Sequence, residues 1–161
     1  MSKKYELVVD DTITLWGWKL FRIKALIRFG SVDAGDLGGY VCTEDNLSQE
    51  GDAWVSGNAK VWGNAEVSGN AKVWGDAEVW GDAEVSGDAE VSDFEDVIVF
   101  KNHWSSGRHF TYTKSNKMWR VGCFYGTGQE LIDKAYRDSE KSGNYYKAYV
   151  ELIASLEGLG E

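Results

Sequence analysis

The sequence predicts a mainly β protein built around a short solenoid, with a β segment before it and a three-stranded sheet carrying two helices after it. Three observations predict this. Seven hexads, GDAWVS, GNAKVW, GNAEVS, GNAKVW, GDAEVW, GDAEVS and GDAEVS, run without a gap from Gly51 to Ser92. Apolar and polar residues alternate over 4–28, and helical periodicity marks the end of the chain. The length of 161 residues is that of about one domain.

The period of six decides the structure of the repeat. Six helical steps of about 100° would scatter Val55, Val61 and Val67 over three helix faces, whereas an even period keeps them on one side of a strand. A glycine every six residues, at about 1 kcal/mol each, also argues against a helix. Ala and Val, two apart, then point inward and the Lys or Glu between them points out. The Gly-Asn/Asp segment that follows is a corner, because these residues accept backbone conformations that others resist. Short strand, corner, short strand is a solenoid.

The hexads resemble the hexapeptide-repeat family, whose fold is a left-handed parallel β-helix with three hexads in each triangular coil. Handedness comes from that resemblance alone, since parallel crossovers in general favour the right hand. Together with LFRIKALIRFGSVDAGDLGGYVCTEDNLSQEG at residues 20–51, the chain is similar to small phage and prophage hexapeptide-repeat proteins, a group whose function is largely unassigned. The expected organisation is an N-terminal β cap and lead-in over 1–50, a β-helix of two to three coils over 51–96, and a C-terminal α+β module over 97–161.

A coil of three hexads fixes the rungs. Lys60 lies over Glu78 and Lys72 over Glu90 as two cation–carboxylate pairs, Trp62 over Trp80, and Glu66 over Glu84 as a like-charge pair. Asn58, Asn64 and Asn70 stack on Asp76, Asp82 and Asp88. So short a solenoid needs protected ends, which the flanks must supply.

In the flanks, strands are expected near 4–9, 12–16 and 19–26, with a turn at Asp10-Asp11 and an irregular lead-in from Gly30 to Glu50. After the repeat, strands are expected near 96–101, 108–114 and 117–123. Thr127 to Glu130 reads as a capping box opening a helix to about Ser139. A second helix starts at Asn144, with Tyr145, Tyr149, Leu152 and Leu156 as its apolar stripe.

Composition bounds the function. No apolar run approaches the roughly 20 residues that span a bilayer, and the start lacks the pattern of a secretory signal, so a cytoplasmic location is expected, that of the host cell for a phage-encoded chain. Cys42 and Cys123 lack metal-ligand spacing and are expected reduced and buried. The net charge is −9. Residues 51–96 carry two basic and eleven acidic groups, while 97–161 carry nine basic and seven acidic. An acidic repeat disfavours direct DNA binding and binding to anionic membrane.

The candidate partner-binding residues are the outward Asp76, Glu78, Asp82, Glu84, Asp88 and Glu90, with Trp62, Trp74 and Trp80 as aromatic anchors. Trp54 is also at an outward position. Regularly spaced carboxylates can compete for a basic, nucleic-acid-binding partner, or they can be only a solvated face. In the resembled family the repeat packs into homotrimers, which would cover some of the tryptophans.

The basic and aromatic Arg108, His109, Tyr112, Trp119 and Arg120 form a second candidate, a site for a small nucleotide. Acyl transfer, the best-known activity of the resembled family, uses a histidine base between subunits. Here His103 and His109 lie outside the repeat, and paired acid/base carboxylates would need a desolvated cleft that an outward ladder does not offer. The expectation is therefore binding without catalysis: an acidic protein with no cofactor or metal, inhibiting a host protein of the defence or nuclease type. Nucleotide sequestration and acyl transfer are the alternatives.

Overall fold

The structure, a computed structural model, describes residues 3–159. It is mainly β, with two helices and several sheets. A hairpin of β1 (Tyr5–Leu15) and β2 (Trp18–Ala25) leads to β3 (Leu37–Val41). Seven two-residue strands follow: β4 (Trp54–Val55), β5 (Lys60–Val61), β6 (Glu66–Val67), β7 (Lys72–Val73), β8 (Glu78–Val79), β9 (Glu84–Val85) and β10 (Glu90–Val91). The C-terminal part holds β11 (Val97–Lys101), β12 (His109–Thr113), β13 (Met118–Val121) and β14 (Phe124–Thr127), then α1 (Gly128–Asp138) and α2 (Glu140–Leu159).

The short strands stack in parallel with the expected register. Lys60 pairs with Glu78, Lys72 with Glu90 and Glu66 with Glu84, each partner three hexads further along. Three ladders result, β3-β5-β8, β4-β7-β10 and β6-β9. The alanines and valines of all seven hexads are at most 2% exposed and form one core. The glycines turn the corners at positive φ. Gly51, at φ +69°, has room for no side chain, because a Cβ there would sit 2.5 Å from the Gly69 carbonyl oxygen.

The stack begins earlier than the hexads do. Tyr40 pairs with Lys60 and Leu47 bridges to Val67, so Val41 and Leu47 take valine positions ahead of Val55. The spacing of these rungs exceeds three hexads by two, which places two extra residues between Ser48 and Asp52. The supposedly irregular lead-in is thus largely a coil of the stack, with a capped 3-10 turn over Glu44–Asn46 as one corner. A matching turn over Phe94–Asp96 closes the far end, and Val97, six residues past Val91, still packs on the same core.

The open ends of the stack dictate its caps. Alternate residues of each rung face the coil after it, as Lys60 N donating to Ala77 O at 2.9 Å. The same positions also carry the accepting carbonyls of a parallel ladder, so each end coil presents both unpaired amides and unpaired carbonyls. At the first end the donors are Lys4 Nζ, to Ala53 O at 2.8 Å, and the Tyr5 hydroxyl, to Leu47 O. At the other end Thr111 Oγ1 accepts from Glu84 N at 2.9 Å and Ser115 Oγ from Glu90 N at 2.8 Å, while the Tyr125 hydroxyl donates to Ser86 O at 3.4 Å. Both flanks are caps in this chemical sense.

Several expectations are corrected. Asp10-Asp11 is a bulge in one long β1, where the register shifts between Val8 and Thr12, and the chain reverses at Trp16-Gly17, both at positive φ. The C-terminal sheet has four antiparallel strands, ordered β11-β12-β13-β14, because Phe124–Thr127 pairs back on β13. The helix α2 starts at Glu140. Its buried positions include Tyr146 and Ile153, with Tyr149 and Val150 packed beside them, whereas Tyr145, Leu152 and Leu156 are exposed. Cys123 is exposed and Cys42 half-buried, so neither is a core residue. Phe110, Tyr112, Trp119, Leu131, Ala135, Tyr146 and Ile153 make a second core, separate from that of the stack.

Candidate functional site

The repeat presents its carboxylates outward. Asp76, Glu78, Asp82, Asp88 and Glu90 are exposed, and Glu84 is half-buried. Register alone does not neutralise them. Among the described residues no ion pair joins Lys60 to Glu78 or Lys72 to Glu90, and Lys60 Nζ donates instead to Asn58 O at 2.9 Å. The amide-on-carboxylate corner forms at Asn64, whose Nδ2 donates to Asp82 Oδ1 at 3.2 Å.

Two of the carboxylates are engaged by the C-terminal module. His109 Nδ1 lies 2.9 Å from Asp82 Oδ2, and Arg120 Nε lies 3.5 Å from Glu84 Oε2. Burial raises the Glu84 pKa and Glu66 below it adds to the rise, while the Arg120 guanidinium opposes both. Arg120 Nε is buried without a hydrogen bond of good geometry, so this contact is Coulombic more than directional. Asp76, Glu78, Asp88 and Glu90 have no such partner among the described residues.

The tryptophans divide. Trp62 and Trp80 stack as their register requires, with ring centroids 6.1 Å apart and planes 11° apart. Trp62 is nevertheless buried, covered by Leu20 and Tyr40 from the N-terminal hairpin region. Trp54 is buried against Tyr5 and Phe29. The N-terminal segment of the same chain therefore covers two of the four repeat tryptophans, leaving Trp74 at 38% and Trp80 at 59% exposure.

Two clefts accompany the exposed pair. One, of about 530 Å³, runs between the Gly30–Val32 loop and the β4-β7-β10 ladder, lined by Trp74, Lys72, Asp52, Asp88 and Glu90. Another, of about 430 Å³, lies at the end of the stack among Glu78, Trp80, Asp82, Phe94, Val97 and Val99. Sequence reasoning missed Phe94 and Val99, because only the fold brings β11 beside β8.

The basic and aromatic set is not one surface. Tyr112 and Trp119 are 3% and 1% exposed in the second core, and the Tyr112 hydroxyl donates to Glu157. Burial and this bond push the Tyr112 pKa up. Arg120 faces Glu84. Arg108 and His109 do line a cavity of about 450 Å³, together with Ser105, Ser106, Lys134 and Ser142. None of those four carries a signal in the sequence.

Among the described residues no group of three or more His, Cys, Asp or Glu side chains is placed to hold a metal ion. No helix among them is long and apolar enough to cross a membrane. Compared with known proteins, the chain matches no family model and no curated sequence.

Proposed function

We propose that this chain is a non-catalytic binding protein of the phage or prophage type, in which a left-handed hexapeptide β-helix presents an acidic, tryptophan-bearing face to a basic host protein and inhibits it. The observation that carries this reading is the set of unpaired outward carboxylates Asp76, Glu78, Asp88 and Glu90 beside the exposed rings of Trp74 and Trp80. Charge of one sign on a rigid scaffold steers association and selects partners, and large aromatics supply the desolvated anchors. Trp62 supports the platform by stacking under Trp80 and is not itself a contact.

The test is affinity capture from a bacterial lysate by the wild type and by the triple variant Asp76→Lys, Asp88→Lys, Glu90→Lys. The wild type retains a basic, nucleic-acid-binding protein that the variant does not. Identical captured proteins from both would overturn the reading. A homotrimer, implied by the resemblance, would have to share Trp74 and Trp80 with that partner. Light scattering of the purified chain decides its presence, at three times the 18.0 kDa chain mass.

A second reading rests on the cavity beside α1. Arg108, His109 and Lys134 with three serine hydroxyls suit a phosphate-bearing small molecule. Calorimetry with a nucleotide panel tests it, and absence of heat from every member removes it.

A further inference from the structure

The three strands that end the stack are treated unequally. On β9 the Glu84 amide is received by Thr111, and on β10 the Glu90 amide is received by Ser115. On β8 the equivalent amide, that of Glu78, has no acceptor among the described residues, and neither does the Trp80 amide two residues on, whose counterpart Ser86 is likewise open and whose counterpart Ser92 bonds Asp96. β8 is the terminal strand of its sheet, and β11 is the terminal strand of the C-terminal sheet. The cleft of about 430 Å³ touches both, with Val79 and Trp80 on one side and Val97, Val99 and Phe94 on the other. Phe94 is 74% exposed there.

An open strand edge beside an apolar cleft is what strand addition needs: main-chain hydrogen bonds give affinity and the cleft selects side chains. The chemistry of the incoming segment can be read from the opposite side of β8. There β5 places Lys60 in register with Glu78 but leaves that carboxylate unpaired, Lys60 Nζ donating to Asn58 O, and stacks Trp62 on Trp80. A segment on the open side meets the same Glu78 carboxylate and the exposed face of the same Trp80 ring, so it carries a cation two residues before an aromatic or large apolar side chain.

We propose that the cleft between β8 and β11 takes an extended peptide segment of that pattern from the basic partner, added in parallel to β8 through the Glu78 and Trp80 amides. This rests on the partner-binding reading above and names how and where the partner is gripped.

The experiment uses the full chain, 15N-labelled, and the peptide acetyl-GNAKVWG-amide copied from the chain's own hexad. Amide exchange is read residue by residue. Peptide at about 1 mM slows exchange at Glu78 and Trp80 by about tenfold or more, leaves Glu84 and Glu90 unchanged, and fails to do so when its lysine is replaced by glutamate. Phe94→Lys and Val99→Lys, both at exposed positions, abolish the protection. Unchanged exchange at Glu78 and Trp80 with peptide at that concentration overturns the proposal. Should the triple variant of the repeat still lose its captured protein in that case, the acidic-face reading stands and only the cleft falls. Protection of Glu78 without peptide, in a species of twice the chain mass that Phe94→Lys returns to monomer, makes a second copy the occupant and likewise overturns it.

Discussion

Asn46 and Asp96 hold the same place at opposite ends of the stack, each as the last residue of a capped 3-10 turn. Asn46 Oδ1 accepts from the Cys42 and Thr43 amides at 3.0 and 2.9 Å, and Asp96 Oδ2 accepts from the Ser92 and Asp93 amides at 2.9 and 3.2 Å. The difference between amide and carboxylate follows from what lies beyond each turn. Asn46 Nδ2 must also donate into the next coil, to Gly63 O and Ala65 O at 3.2 and 2.8 Å. Beyond Asp96 the stack has ended.

Asn46→Asp therefore destabilises the fold by about 2–3 kcal/mol, since it removes two donated bonds and sets a carboxylate against two carbonyls at a site 1% exposed. Asp96→Asn costs less than about 1 kcal/mol, because its acceptor oxygen is kept. Urea denaturation of the two variants measures the contrast. Equal losses would mean that the turns, and not the bonds donated into the next coil, set the residue type.

The paired turns also show where the sequence was legible. From Gly51 to Ser92 every corner is Gly-Asn or Gly-Asp, and the valine period reads directly. At Val41, Leu47 and Val97 the period continues, but the corners are Thr-Glu-Asp-Asn and Asp-Phe-Glu-Asp, and two residues are inserted between Ser48 and Asp52. Outward carboxylates follow from alternation alone and were readable. Burial of Trp54 and Trp62 was not, because it depends on the N-terminal segment folding back across the stack. Tyr112 and Trp119 lie on neighbouring strands as cross-strand partners facing the helices, and alternation by itself does not say which face the helices take.

The corner glycines differ in what surrounds them. Gly81 is at φ +69° with nothing within 4 Å of a Cβ, so Gly81→Ala meets only left-handed strain of about 1–2 kcal/mol. Gly51→Ala adds a clash with a backbone oxygen of the next coil and costs more than that strain alone, since backbone in a ladder cannot yield like a side chain. Thermal unfolding of the pair gives the order, and a Gly81 variant at least as damaged as the Gly51 one would contradict the stacking geometry.

Lys4 makes stability depend on pH above neutrality. Burial lowers its pKa to about 8, opposed by Asp52. The unfolded lysine keeps its proton to about pH 10.4, so between these values the unfolded chain binds more protons and the Lys4 contribution to stability rises with pH. Above about pH 10 the trend reverses, because Tyr5, Tyr112, Tyr125 and Tyr146 are all pushed up by burial and ionise first in the unfolded chain. Urea midpoints of the wild type gain on those of Lys4→Met from about pH 8 to about pH 10. Parallel curves would place the ammonium in a solvated site.

The acidic face is tested most directly by titrating the protein that the chain captures against the wild type and against Asp76→Lys, Asp88→Lys, Glu90→Lys at two salt concentrations. Tenfold or greater weakening by the reversals, with an affinity of the wild type that falls as salt rises, is the predicted result. Equal affinity of both proteins at both salt concentrations would show that the carboxylates keep the repeat in solution and do nothing more.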